Sequence, residues 1–496
     1  MSKLSGNLNK RTNDSEMLKF LFDFDETIRF DKIVEREKTL ALCRLLKYKM
    51  IRAKFNKEVK IMKMAKAWMV LILMAGVLAL PLTSWAKTEI IWWHAMGGFL
   101  GERVNDITNK FNASQSEYEI KAINKGGYAD VLTAGIAAYR AKTPPHIMQV
   151  FEVGTQTMLS SGAIYPVYQL MKDQGIKIDW DDFISVVKTY YSKGGNLYSM
   201  PFNSSTPILY YNKTAFEKAG LNPQVPPKTF EDIEKAAKAV VSKGAAKIGF
   251  TVSWPSWTLM ENMHTWNDQP FANNNNGIAA MATELKFNGK LGTQVMELLT
   301  RWQKEGIFTY SGRAARGDQP TINGEAAISL ASTALVGTMA RTSKFDWGTG
   351  NLPKLSGYPQ GNSIIGGASL WVMKGHKKEQ YKGVAKFLEF LGQPEQQAWW
   401  HANTGYFPLT RASVKALPED HFRKNSNLWT AFYQITSGKT TPNSQGIRLG
   451  NFVAVRDTIE AEMENVFSAR KTPKQGLDDA VKKGNQTLKE FASLYK

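Results

Sequence analysis

Cysteine is almost missing from this 496-residue chain: Cys43 is the only one. An intrachain disulfide is therefore excluded, and so is a metal site built from several thiolates. Histidine is nearly as scarce. The six (His94, His146, His264, His376, His401 and His421) stand far apart, with no spacing that suits a metal ion. Enzyme signatures are missing in turn. There is no Gly-x-Ser-x-Gly elbow, no Gly-rich phosphate loop ending in Lys-Ser or Lys-Thr, and no His-Glu-x-x-His pair. No fixed-period repeat occurs, and the one polar tract, Asn273–Asn276, is expected to be a loop. With 43% hydrophobic and 22% charged residues, the composition excludes collagen-like, coiled-coil and wholly disordered chains.

What is present begins with one long apolar run, Trp68–Leu82, preceded by Lys60, Lys63 and Lys66 and followed by Ser84-Trp85-Ala86. A basic segment, an apolar segment and a small-x-small end are the layout of a secretory signal peptide, expected over residues 62–86. The run is short for a membrane span; a retained anchor is the alternative. Residues 1–61 are then an extension ahead of a start expected at Met62 or Met64, the alternative being a genuine cytoplasmic tail. The formal charge is +19, and residues 87–496 keep +11 of it. That excess suits nucleic acid or an anionic small molecule. Secretion disfavours nucleic acid, and pairs such as Lys377-Lys378 and Lys482-Lys483 have the spread of solvated helix faces.

Beyond the leader, strand and helix patterns alternate. Glu89–Trp93, Tyr118–Ile123 and His146–Phe151 are apolar, β-rich runs. Between them, Gly98–Asn112 places Leu100, Val104, Ile107 and Phe111 on one helical face, and Ala129–Tyr139 is also helical. This order predicts parallel strands with helices packed on the faces. The pattern restarts after Pro201, with strands at Ile208–Tyr211, Ile248–Val252, Ala326–Leu330 and Ser369–Met373. Helices are expected at Lys213–Lys218, Thr229–Ser242, Gly292–Lys304, Tyr381–Leu391, Pro394–Asn403, Phe452–Ala469 and Pro473–Leu494. So much α/β pattern exceeds one hydrophobic core, so two α/β lobes are expected. Ligands then bind outside the carboxyl ends of strands.

Several segments carry polar chemistry at such places, each with a structural alternative. Asn203-Ser204-Ser205-Thr206 is a run of hydroxyls and amides before a strand, and equally a turn bonded to its own backbone. Gly366-Gly367 would let backbone N–H groups approach an anion, or form a tight turn or bulge. Trp254 and Trp257, three apart at a helix start, offer flat apolar walls or ordinary core. Arg456 follows Asn451, an expected cap; a cation there is favoured only with an anion against it, unless it snorkels to solvent. Glu152 ends a strand, and Tyr128 follows Gly126-Gly127.

In order along the chain, these segments resemble the periplasmic sn-glycerol-3-phosphate-binding proteins of bacterial ABC importers, a branch of the extracellular solute-binding proteins. The likeness covers nearly all of the chain after the leader. It rests on Val150–Thr155 (VFEVGT), Pro201–Leu221 (PFNSSTPILYYNKTAFEKAGL), Ile364–Met373 (IIGGASLWVM), Thr404-Gly405-Tyr406 and Arg448–Asn451 (RLGN). The basic extension is no family feature, and Trp93–Gly98 departs somewhat from the usual first-helix entry.

The resemblance implies a two-lobed periplasmic-binding-protein fold, maltose-binding-protein-like, each lobe a mixed sheet flanked by helices. Crossings are implied near 203–207, 331–336 and 372–377. Residues 87–205 and 334–374 then form the N-terminal lobe, and 206–333 and 375–496 the C-terminal lobe. Residue by residue, it implies that Tyr128 and Glu152 hold glycerol hydroxyls. Ser205, Ser332, Gly367, Tyr406 and Arg456 would contact phosphate, and Trp254 and Trp257 would form an aromatic wall. The expected function is a periplasmic receptor that binds sn-glycerol 3-phosphate, or glycerophosphodiesters such as glycerophosphocholine, and delivers it to the permease and ATPase of an ABC importer. No catalysis, cofactor, metal or nucleic acid is expected, and the chain is expected to be a monomer. An oligosaccharide receptor of the same fold is the alternative, and a two-carboxylate hydrolase is disfavoured because Glu152 has no placed partner.

Overall fold

The computed structural model describes residues 87–495 and a few isolated positions between 47 and 69. The extension and signal peptide expected over 1–61 and 62–86 lie outside the described residues, those few positions apart. The chain divides into residues 1–84 and 85–496, and the second unit holds the architecture.

Apart from a short hairpin of Ser192–Lys193 with Asn196–Leu197, the sheet strands in chain order are β1 (Thr88–His94), β2 (Tyr118–Asn124), β3 (Ile147–Phe151), β4 (Ile164–Tyr165), β5 (Met200–Ser205), β6 (Pro207–Asn212), β7 (Ile248–Val252), β8 (Ala326–Ser332), β9 (Trp347–Gly350) and β10 (Gly366–Met373). They build two sheets. The first has the order β2-β1-β3-β10-β4, with β5 also paired to β10; the second has the order β9-β6-β8-β7. In the first sheet β1, β2 and β3 run parallel, as the alternating pattern predicts. The later β10 enters antiparallel to β3, β4 and β5, so the sheet is mixed. The second sheet is mixed too: β8 is parallel to β7 and antiparallel to β6. β9 pairs with β6, so this strand joins the second sheet, although the expected boundaries put residues 334–374 with the first.

Helices form where local chemistry starts them. Phe230–Ser242 opens on a reciprocal cap: the Asp232 N–H donates to Thr229 Oγ1, and Asp232 Oδ2 accepts from the Thr229 N–H, both at 3.0 Å. Such a cap contributes about 1 kcal/mol. Phe230, Ile233, Ala236, Ala237 and Val240 then recur at helical spacing and are buried. One expectation about a helix start differs. Asn451 precedes the helix Phe452–Phe467, yet at φ 47° it is left-handed and its side chain makes no capping bond. The Asn273–Asn276 tract is a single left-handed turn, with Asn274 at φ 55° and Asn275 at φ 51°; Asn tolerates this region better than most residues.

The chain passes between the sheets where β5 gives way to β6, and β8 ends beside that passage. Thr206 Oγ1 donates to the Ile364 carbonyl at 3.2 Å. The Thr333 N–H donates to the Thr206 carbonyl at 3.1 Å, and the Thr206 N–H donates to Thr333 Oγ1 at 3.3 Å. The two passages are thus bonded to each other, and the hydroxyl run Asn203–Thr206 is buried between the sheets. Among the described residues no helix is long and apolar enough to cross a membrane.

Candidate functional site

A cavity of about 220 Å³ lies against this passage. Its walls come from the ends of strands. Glu152 follows β3 directly, Ser205 ends β5, Ser332 ends β8, and Gly366 and Gly367 begin β10. All nine residues named from the sequence line it: Tyr128, Glu152, Ser205, Trp254, Trp257, Ser332, Gly367, Tyr406 and Arg456.

Arg456 is the cationic centre. Its Nε donates to Glu261 Oε1 at 2.7 Å, and its Nη2 donates to Glu261 Oε2 at 2.7 Å and to Glu152 Oε1 at 2.6 Å. Among the described residues no acceptor takes Nη1, so its two N–H bonds remain for a guest. Burial alone would lower the Arg456 pKa, but the carboxylates of Glu261 and Glu152 more than offset it, and the side chain stays cationic. Glu152 is shifted upward, because burial outweighs the attraction of Arg456. Arg456 therefore neither snorkels to solvent nor sits at a bare helix end. It is buried and clamped by two carboxylates from different parts of the chain.

At the Glu152 side, Tyr128 stacks on Phe151 with ring centroids 5.3 Å apart and planes within 5°. Its hydroxyl accepts from Asn203 Nδ2 at 2.9 Å. Asn203 Oδ1 accepts from Gln149 Nε2 at 2.8 Å, and Gln149 Oε1 accepts from the Ala95 N–H at 2.7 Å. This chain of bonds orients the Tyr128 hydroxyl, which lies beside that of Tyr406. Tyr406 is buried, and its carbonyl oxygen lies 2.6 Å from His401 Nδ1.

The glycine pair works by close approach. A Cβ on Gly366 would come within 2.4 Å of the Trp257 ring, and one on Gly367 within 1.8 Å of the Asn203 carbonyl oxygen. Gly367 has φ +86°, which L side chains rarely adopt. A bulge does occur, one residue later, between Ala368 and Ser369. The two tryptophans do not share one face of an ordinary helix. Ser256–Glu261 is a π-helical turn, and Trp254 lies ahead of it at φ +54°. π-turns often accompany functional sites. Trp257 is buried and Trp254 is partly exposed.

Two carboxyls of the site escaped sequence reasoning. Glu261 is buried at the end of the π-turn, where it also accepts from Ser256 Oγ at 3.0 Å. Asp318 lines the cavity and accepts from Ser253 Oγ. Neither stands in a motif; a Gly-Asp pair at 317–318 was the one visible hint. Among the described residues, no group of three or more His, Cys, Asp or Glu could hold a metal ion.

The family model described as bacterial extracellular solute-binding protein matches residues 106–429. The sn-glycerol-3-phosphate-binding periplasmic protein UgpB of Escherichia coli (strain K12) is 44% identical over 420 residues, 84% of this chain and 95% of that protein. UgpB of Salmonella paratyphi A is 43% identical over 417 residues, 83% of this chain and 95% of the relative. Among solved structures, UgpB from Mycobacterium tuberculosis in complex with glycerophosphocholine aligns with a TM-score of 0.69 at 20% identity, covering 82% of this chain and 99% of that one. The sugar-binding protein MalE from Xanthomonas citri aligns at 0.64 and 20% identity, with coverages of 82% and 99%. At such identities the two structures speak to the fold: a two-lobed, MalE-like solute-binding architecture.

Proposed function

Because this chain belongs to the bacterial extracellular solute-binding protein family, we propose that it is a periplasmic receptor that binds sn-glycerol 3-phosphate and hands it to an ABC importer. The observation that carries the reading is the convergence of all nine expected ligand residues on one cavity, with a buried guanidinium that has two N–H bonds to spare.

The chemistry of each wall fits one part of the ligand. Phosphate oxygens accept from Arg456 Nη1, from the Ser205 and Ser332 hydroxyls and from the Gly367 N–H; charge-assisted bonds of this kind are the strongest available. The glycerol hydroxyls donate to Glu152 and accept from Tyr128. Trp254 and Trp257 cover the carbon skeleton. A ligand phosphate need not break the Arg456–Glu261 fork, because that fork uses Nε and Nη2 and leaves Nη1 out. Glycerophosphodiesters such as glycerophosphocholine keep the same glycerol and phosphate and enter the same site.

The two sheets are the cores of two lobes, 87–205 with 334–374 and 206–333 with 375–496, β9 going with the second by its pairing. The passages at 205–207 and 332–334 act as the hinge. Closure over the ligand presents both lobes to the permease. The receptor acts as a monomer, without nucleic acid, cofactor or catalysis.

Calorimetry on the purified protein tests the reading. The wild type is expected to bind sn-glycerol 3-phosphate and to ignore maltose, and Arg456→Ala to lose at least 100-fold in affinity. Unchanged affinity in that variant, or binding of maltose alone, would sink it.

A further inference from the structure

Two carboxyls line the cavity, Glu152 and Asp318, beside a single guanidinium, Arg456, which also holds Glu261 behind it. Two of the acids are matched by Arg456. Asp318 is not. Its one hydrogen bond comes from the Ser253 hydroxyl, and no Lys or Arg among the described residues forms an ion pair with it. An unmatched acid in a pocket that takes phosphate is electrostatically costly, unless the ligand brings the missing positive charge.

The local backbone holds Asp318 and Trp254 together at that wall. Ser253 donates its N–H to Leu330 at the end of β8 and its hydroxyl to Asp318, and the Trp254 N–H donates to the Ala314 carbonyl at 2.7 Å. Gly317 is pressed on the end of β7: a Cβ there would lie 2.2 Å from the Val252 carbonyl oxygen. Trp254 adopts φ +54°, a conformation rare for a bulky residue, and its side chain lines the cavity. Asp318 also lies at the phosphate side. Its charge bears on Tyr210, whose hydroxyl donates to the Ser332 carbonyl at 2.7 Å, and on Tyr406. Burial pushes its carboxyl up to about 6, which leaves it mostly ionised at neutral pH.

A carboxylate beside an indole face is the chemistry that recognises an organic ammonium ion. We propose that Asp318 and Trp254 form a cation subsite next to the phosphate position, so that the receptor selects zwitterionic glycerophosphodiesters by their ammonium head group. The proposal rests on the phosphate-binding reading of the cavity and adds a specificity-determining residue to it. A monoester dianion gives Asp318 no partner and is repelled by it. A diester with a choline or ethanolamine head places its cation against the carboxylate and the indole, while the glycerol and phosphate keep the contacts given above.

Three probes separate the possibilities by calorimetry on the full chain: sn-glycerol 3-phosphate, glycerophosphocholine, and glycerophosphoglycerol, a diester without a cation. The wild type is expected to bind glycerophosphocholine at least tenfold more tightly than glycerophosphoglycerol. Asp318→Asn, nearly isosteric, is expected to weaken glycerophosphocholine at least tenfold while the other two stay within threefold or tighten. Equal affinity of the wild type for the two diesters overturns the subsite without any variant. So does an Asp318→Asn protein in which all three ligands change alike. If the wild type binds none of the three, the phosphate reading itself falls and takes the subsite with it.

Discussion

Two buried arginines stand eight residues apart in sequence and are held in opposite ways. Arg456 is gripped by two carboxylates and keeps Nη1 for a guest. Among the described residues Arg448 meets no carboxylate. Its Nη1 donates to the Ser192 carbonyl at 2.5 Å, its Nη2 to the Ile278 carbonyl at 2.8 Å, and its buried Nε has no partner among them. Their acidities diverge accordingly: carboxylates shift Arg456 up, whereas burial shifts Arg448 down. The difference separates a binding cation from a fastening one. Arg456 faces a cavity with donors unspent. Arg448 spends its forked end on two backbone segments far apart in sequence, one following Tyr191 and one beside Gly277, and ties them together.

Replacing Arg456 with Ala should have the largest effect on stability. It strands Glu152 and Glu261 as buried, unpaired charges, at a cost of about 3–5 kcal/mol. Urea unfolding measures this, and a loss below about 1 kcal/mol would mean that the carboxylates are not truly dependent on the arginine. Arg448→Ala should cost less, about 1–2 kcal/mol, because two charge-assisted bonds are lost while an unneutralised cation is also removed from the interior. Ligand affinity should move less than tenfold in this variant. A fall as deep as that of Arg456→Ala would erase the distinction between the two.

Acid sharpens the comparison, since carboxylates titrate and carbonyls do not. Burial raises Asp318 to about 6 and Glu460 to about 7, and raises Glu152 as well. In these groups the folded state holds its proton to higher pH than the unfolded chain. For Asp318 and Glu460 this contribution is greatest below about pH 4 and is lost as pH rises through 6 to 7. His94, His146, His264 and His401, lowered to about 4 by burial, act with the other sign. Their contribution is complete above about pH 6.5 and is lost as pH falls toward 4. With four histidines against these acids, the Tm of the wild type should drop between pH 7 and pH 5. Asp318→Asn should gain on the order of 1 kcal/mol at pH 7 and nothing at pH 4, after allowance for partial solvent screening. A gain that is equal at both pH values would mean that the aspartate is not held in a desolvated state.

The smallest effect is expected far from both arginines. Thr229→Ala removes a helix cap and should cost about 1 kcal/mol in urea unfolding with ligand affinity unchanged. A change in affinity there would show that stability and binding are not separable in this fold, and would blur every inference drawn from the arginine pair.

Much of this was legible in the chain. The helix Lys213–Lys218 and strand β7 keep their expected ends, and Phe230–Ser242 begins one residue after the expected Thr229. The resemblance named nine residues that line one cavity. What stayed hidden was who holds whom. Glu261 sits in a π-turn that no spacing announces, and Asp318 follows a glycine whose role appears only once β7 is packed against it. Trp347–Gly350 is four residues long with two glycines, too short to declare its sheet, and pairing with β6 assigned it.

The sequence by itself determined the order and kind of the elements and the residue types offered to a ligand, because helix and strand periods, caps and family words are local. Only the tertiary structure decided that Arg456 would meet Glu261 and Glu152, 195 and 304 residues away, and that Asp318 would face the same space without a cation. The reason is physical: such pairings depend on how two sheets and their passages pack, and a charge gains its value from the dielectric and the partners that packing creates.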